Sequence, residues 1–184
     1  QEVSYGIKGA LNVASITGDV EDASPLIGFQ IGGFVEIRFA EKFAFQPELM
    51  YSVQGVKESI NESNGGYLAK VDGTTKLDYL NIPLMFKYYS NPKLSFEFGP
   101  QIGFLLAAKI DLDYNYSGGG NDLSGKETVD MIDQVNSFDF GLNFGLGYNF
   151  NEKLSAGLRY NLGLSNVYDF EYESDASGKN SVFS

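Results

Sequence analysis

The chain has 184 residues, a formal net charge of -11, and no cysteine, histidine or tryptophan. Without Cys or His it cannot form a disulfide, an iron–sulfur cluster, a Ser-His-Asp triad, or a thiolate- or imidazole-bound metal site. Its acidic balance argues against nucleic acid, which needs a basic surface.

The length suits one domain, 1–184, and no linker or break in composition divides it. No apolar run approaches the roughly 18 residues of a spanning helix. Most of the chain alternates with period 2, the strand period. The first segment sets Val3, Tyr5, Ile7, Leu11 and Val13 against Ser4, Gly6, Lys8, Ala10 and Asn12. The second sets Ile27, Phe29, Ile31, Val35, Ile37 and Phe39 against Gly28, Gln30, Gly32, Phe34, Glu36 and Arg38. The third runs Phe43 to Val53 on odd positions, and the fourth Leu80 to Tyr88 on even ones. The fifth runs from Phe96 to Leu106 on even positions. The sixth, Phe138 to Phe150, is the cleanest, with Asp139, Gly141, Asn143, Gly145, Gly147 and Asn149 on the opposite face. The seventh runs from Leu154 to Leu164, and an eighth begins at Asn180 and stops at Ser184.

The short connections 40–42, 90–93 and 151–153 each end in Lys followed by Phe or Leu, a weak hairpin repeat. The long connections, roughly 15–25, 58–74, 110–136 and 169–179, are rich in Gly, Ser, Asn and Asp and read as loops. Short turns at one end and long loops at the other predict an all-β, eight-stranded antiparallel up-and-down barrel, its last strand incomplete at Ser184.

Three features turn the apolar face of this barrel outward, toward lipid. An eight-stranded barrel has room inside only for modest side chains. Gly, Ala, Ser and Asn fit that space, and the many Leu, Ile, Phe and Tyr residues do not. The strand charges Lys8, Glu36, Arg38, Glu48, Lys87, Glu97, Asp139 and Arg159 all lie on the small-residue face. A cationic side chain facing lipid at the bilayer centre costs roughly 2–4 kcal/mol. Finally, Phe39, Phe43, Tyr88 and Phe150 stand on the apolar face near the short turns, where an aromatic girdle belongs.

The segments Tyr5–Asn12, Phe45–Tyr51, Tyr79–Leu84, Phe98–Leu106 and Arg159–Asn166 resemble outer-membrane β-barrel proteins of the Bacteroidetes type. These are often labelled "porin family" and are similar in architecture to OmpA and OmpX. The resemblance covers nearly the whole chain. It implies a bacterial outer-membrane barrel with periplasmic turns, extracellular loops and lipid or lipopolysaccharide around it. It also implies a longer last strand ending in an aromatic residue, so the natural protein is expected to extend past Ser184. It implies little about activity.

The eight lumen charges, four of each sign, read as a structural salt-bridge network that plugs a narrow barrel. The acidic loops hold Asp19, Glu21 and Asp22; Asp111, Asp113, Asp122, Glu127, Asp130 and Asp133; and Asp169, Glu171, Glu173 and Asp175. Within them Asp111, Asp113 and Asn115 have the 1-3-5 spacing of a calcium loop, but Tyr116 stands where glycine is expected and Asp122 where glutamate is. They form a weak metal candidate only. Tyr67, Tyr114, Tyr116, Tyr168, Phe170 and Tyr172 give the loops aromatic contact area for an extracellular ligand or surface partner. No catalytic constellation and no cofactor motif is found. The expected role is therefore structural or surface-interactive. A narrow solute channel or carrier is the alternative, and a soluble ligand-binding barrel the second alternative.

Overall fold

The computed structural model describes residues 2–18, 24–64, 67–117, 123–166 and 178–184. These form nine strands: β1 (Glu2–Gly18), β2 (Ser24–Ala40), β3 (Phe43–Asn64), β4 (Tyr67–Tyr89), β5 (Leu94–Ser117), β6 (Leu123–Asp130), β7 (Phe138–Asn149), β8 (Ser155–Gly163) and β9 (Gly178–Phe183). One 3-10 turn, Ile132–Gln134, separates β6 from β7.

All pairings are antiparallel, and they run in a closed circuit. Each of β1 to β4 pairs with the next strand, β5 pairs with β7, β7 with β8, β8 with β9, and β9 with β1. Strands β6 and β7 share one place in the ring, because β7 pairs with Leu94–Phe104 of β5 and β6 with Lys109–Tyr116 farther along it. Nine strands therefore occupy the eight positions expected. The closing strand is short. It pairs with Val13–Gly18 of β1 and Tyr160–Leu162 of β8, so the lower part of β1 has only β2 beside it among the described residues. Tyr5 and Ile7, on that part, are 86% and 91% exposed.

Two of the three short turns share a local cause. Asn91 Oδ1 accepts from the backbone N–H groups of Lys93 and Leu94, and Asn151 Oδ1 does the same for Lys153 and Leu154, at 2.8 to 3.0 Å. Asparagine caps its own turn in this way.

The strands differ greatly in length. β3, β4 and β5 have 22, 23 and 24 residues, whereas β7 and β8 have 12 and 9. A tilted strand needs about 9–11 residues to cross a bilayer. The upper ends of β3, β4 and β5, with β6, therefore rise above the barrel as a four-stranded wing of roughly ten residues, about 30 Å. This corrects the loop reading of 58–74 and 110–136. Both segments are largely strand, because the β3–β4 register continues unbroken from Met50–Asn81 to Asn64–Tyr67.

The apolar band faces away from the axis. Phe29, Leu49, Phe86, Phe98, Phe144 and Leu158 are all exposed. A soluble barrel, which would turn these residues inward, is thereby excluded.

Candidate functional site: a layered lumen and a projecting sheet

The lumen is stacked in three layers. The layer nearest the short turns is charged. Arg159, on β8, reaches across to β3, donating from Nη1 to Glu48 Oε2 at 2.7 Å and from Nη2 to Glu48 Oε1 at 2.9 Å. Its Nη2 also donates to Glu97 Oε2 on β5 at 2.8 Å. Lys8 joins Glu48 at 3.3 Å, and Lys87 joins Glu97 at 3.4 Å and Glu36 at 2.9 Å. Tyr89 donates to Glu36, and Arg38 lies 4.3 Å from the centre of the Tyr89 ring. Arg38 also reaches Glu36 at 3.7 Å. Gln46 completes the layer, donating to Glu48 and accepting from Lys87.

Small residues make this crowding feasible. A Cβ on Gly147 would sit 2.9 Å from Glu97 Oε1, so a side chain there would displace the carboxylate. The Glu48 side chain is completely buried. Such a charge is tolerable only when it is paired and hydrogen-bonded.

Seven of the eight charges anticipated for the lumen meet in this layer. Asp139 does not. It lies nearer the long strands and accepts from Ser165 Oγ at 2.7 Å. Among the described residues no Lys or Arg pairs with it. The connected network thus holds four cations and three carboxylates, and the eighth charge stands in another environment.

That environment is the middle layer, built of amides and hydroxyls. Asn143 donates to Gln101 at 3.1 Å and Asn161 to Asn143 at 3.2 Å. Asn12 and Gln54 both donate to Ser52, at 3.1 and 3.2 Å.

The top layer is apolar. Val56, Leu77, Tyr79, Leu105, Ala108 and Val135 form a buried cluster, with Met131 packed against it. Val135 is carried inward by the chain between β6 and β7, where Met131 N–H donates to Ala108 and Leu105 N–H to the Ser137 carbonyl. The sequence reading missed this cap, since Val135 falls in a stretch read as loop and the lumen was expected to be polar throughout. The available signals were Leu77, Tyr79 and Leu105, bulky apolar residues on the small-residue faces of their strands.

The girdle residues cluster at the short-turn end. The Phe43 ring is 6.4 Å from Phe39 and 5.3 Å from Tyr88, and Phe150 stands 5.1 Å from Tyr148. All four named girdle residues are exposed on the apolar face.

The wing carries the remaining candidates. Its outward face is polar and internally paired. Asp111 accepts from Lys76 Nζ at 2.8 Å and from Thr128 Oγ1 at 2.7 Å, and Asp113 pairs with Lys126 at 2.8 Å. Lys76 and Thr128 hold the Asp111 carboxyl below its ordinary range; Ser59 and then Lys70 do the same for Asp72. The hydrogen bond to Asp113 raises Lys126. The calcium-loop reading of Asp111, Asp113 and Asn115 fails here. The three lie along an extended strand that cannot wrap an ion, and both carboxylates are already bonded to neighbours.

The other face of the wing is apolar. The register aligns Ile60 with Val71, Val71 with Tyr114, Ile110 with Val129, and Tyr116 with Leu123. Tyr114 and Tyr116 have ring centres 6.0 Å apart, and the Tyr114 ring lies over Gly125. Asp19, Glu21, Asp22, Asp122, Tyr168, Asp169, Phe170, Glu171, Tyr172, Glu173, Asp175 and the side chain of Tyr67 lie outside the described residues.

The chain matches the family model described as outer membrane protein beta-barrel domain over residues 1–169. No curated protein matches it. Among solved structures it is similar to the crystal structure of Ail, the attachment invasion locus protein of Yersinia pestis. The two are 13% identical, the alignment covers 97% of this chain and 92% of that one, and the TM-score is 0.48.

Proposed function

Since the chain belongs to the outer membrane protein beta-barrel domain family, and is an integral outer-membrane protein, we propose that its barrel is a closed anchor and its wing an extracellular interaction surface. The short turns then face the periplasm, and lipid or lipopolysaccharide surrounds the band. The observation that carries this reading is the apolar, tyrosine-bearing face of the wing, which stands beyond the lipid-facing band. An exposed apolar sheet face rimmed by polar groups is the usual mark of a protein contact. Glu58, Glu127 and Asp130 border it, so a partner protein with an apolar patch and basic surroundings fits best. No arrangement among the described residues suggests catalysis. The charged layer and the Val56–Leu77–Val135 cap support a blocked lumen, against the narrow channel.

The test is to shorten the wing, replacing 57–74 and 109–130 with tight turns, and to display intact and trimmed proteins on cells. Retention on an immobilised protein layer is expected to fall to background for the trimmed form, while the slower gel migration on boiling that marks a folded barrel persists. Equal retention overturns the interaction role. Single-channel recording tests the lumen: silence is expected, and a reproducible unit conductance would favour the channel.

A further inference from the structure

The aromatic residues at the short-turn end form two rows across three strands. Phe43 pairs with Tyr88 and Tyr88 with Phe96; beside them Phe45 pairs with Phe86 and Phe86 with Phe98 in part of the same ladder. Rings on β3 and β4 meet, with centres 5.3 Å apart for Phe43 and Tyr88 and 5.1 Å for Phe45 and Phe86. Phe98 meets Phe144 of β7 instead, at 5.3 Å. Among the described residues no ring contact joins β4 to β5. The wall of rings parts there. A groove of about 230 Å³ opens on the lipid-facing side, lined by Phe86 and Tyr88, by Phe96 and Phe98, and by Phe39 and Phe43. Lys87 and Glu97 border it from the strands below, but their charged ends join each other on the lumen side.

Two lysines stand at the short-turn end of these strands. Lys42 immediately precedes Phe43, and its carbonyl accepts from the Tyr89 N–H at 2.8 Å, which ties it to the foot of β4. Lys93 ends the turn between β4 and β5. Both are exposed, and among the described residues neither forms an ion pair. Glu41 is the one acidic residue in the two turns. A chain of net charge -11 thus presents an excess of positive charge at this place.

We propose that the groove and the two lysines bind one anionic phospholipid of the leaflet at the short-turn end, with an acyl chain between the rings and the phosphate beside Lys42 and Lys93. The place and the charge identify the occupant. The groove is apolar and lies in the lipid-facing band, where hydrocarbon is the solvent. Lysines at a membrane surface attract anionic headgroups, and Tyr88 belongs to the residue type that sits at headgroup level. A zwitterionic lipid would fill the slot equally well but gain less from the lysines, so the lysine pair sets the headgroup preference. The site rests on the lipid-facing band and is independent of whether the wing binds a partner.

The chain has no tryptophan, so Phe96→Trp places a single fluorescent reporter at the groove. Leu158→Trp is the control, in register with Phe96 through Leu146 on the same lipid-facing row but outside the groove. Each is refolded into phosphatidylcholine vesicles containing a minor fraction of brominated phosphatidylglycerol or of brominated phosphatidylcholine with the same chains. Phosphatidylglycerol is expected to quench Phe96→Trp several-fold more strongly than phosphatidylcholine does, and the two are expected to quench Leu158→Trp alike. Lys42→Gln with Lys93→Gln is expected to remove the preference and leave quenching by phosphatidylcholine unchanged. Native mass spectrometry of the wild-type chain from micelles holding equal amounts of the two lipids needs no variant to fold, and one retained phosphatidylglycerol is expected. Equal quenching of Phe96→Trp by the two lipids overturns the proposal, as does equal retention by the wild-type chain. A preference that is as strong at Leu158→Trp, or that survives the lysine changes, also overturns it. Quenching of Phe96→Trp by neither lipid would do the same, by showing that a protein surface covers the groove.

Discussion

In the barrel, the face turned from the axis is apolar and the face turned toward it is charged or amide-bearing. In the wing, the same two faces of the same sheet exchange characters. On β4, for example, even positions from Leu80 to Tyr88 face lipid, and above them Lys76, Thr74, Asp72 and Lys70 continue that face into water. The other face passes from Lys87 and Asn81 to Leu77 and Val71. The surroundings decide which face may be apolar: lipid tolerates no charge and water favours it. The level of the exchange therefore marks the edge of the bilayer, near Asp78, whose carboxylate accepts from Tyr51 at 3.0 Å.

Backbone irregularities gather at that level. The β2–β3 register shifts between Pro25 and Gln30, and the β4–β5 register shifts by one residue at Leu105–Ala107. Gly55 has a φ of 150°, and a Cβ there would run into the Thr75 carbonyl. Bulges bend and twist a sheet at a barrel rim. Here the β5 bulge has a second effect, since the extra residue turns every later side chain of that strand to the other face.

The comparison can be broken most forcefully in the charged layer. Arg159→Ala leaves Glu48 buried without its main partner and is expected to cost about 3–5 kcal/mol in denaturant unfolding from micelles. Lys126→Ala, which breaks an exposed pair on the wing, should change stability by less than about 1 kcal/mol. Next comes one substitution made twice on the outward face. Leu49→Arg, in the band, should cost roughly 2–4 kcal/mol in lipid vesicles, and Thr74→Arg, on the wing, about 0–1. If the two cost the same, the bilayer edge has been misplaced.

Deleting Leu106 sharpens the comparison. Without the extra residue, Ile110 and Leu112 should turn toward the charged face, and the wing should become sensitive to protease. The gel shift of the barrel should remain. A wing as resistant as before would show that the bulge does not set its phase.

The smallest effect concerns pH. The folded-state values of Asp72 and Asp111 are depressed, so their contribution is present above the ordinary carboxylate range and is lost as pH falls through the folded values. Both groups are exposed. Hydrogen exchange in β4 and β5 above Lys76 should therefore quicken modestly on acidification, and Asp111→Asn should remove part of that response. Exchange that slows would reverse the sign.

The period-2 alternation, the small residues opposite large ones, and the absence of charge on one face were legible in the sequence. All three depend only on neighbours along a strand and on the cost of charge in lipid. They determined the barrel and its lipid-facing side.

Partnership across the lumen was not legible. Arg159 meets Glu48 across 111 residues of chain, and Asp139 stands apart from the other charges, because closure and register place them. The wing was hidden for a related reason. On β5 the even positions stay apolar from Phe96 through Leu106 and on through Ile110, Leu112, Tyr114 and Tyr116, so by itself that strand reads as one continuous outward face. Only pairing with β4, where the pattern changes phase without a bulge, shows that the later residues point inward. A strand's sequence fixes the alternation; the sheet that holds it decides where the alternation slips and what each face meets.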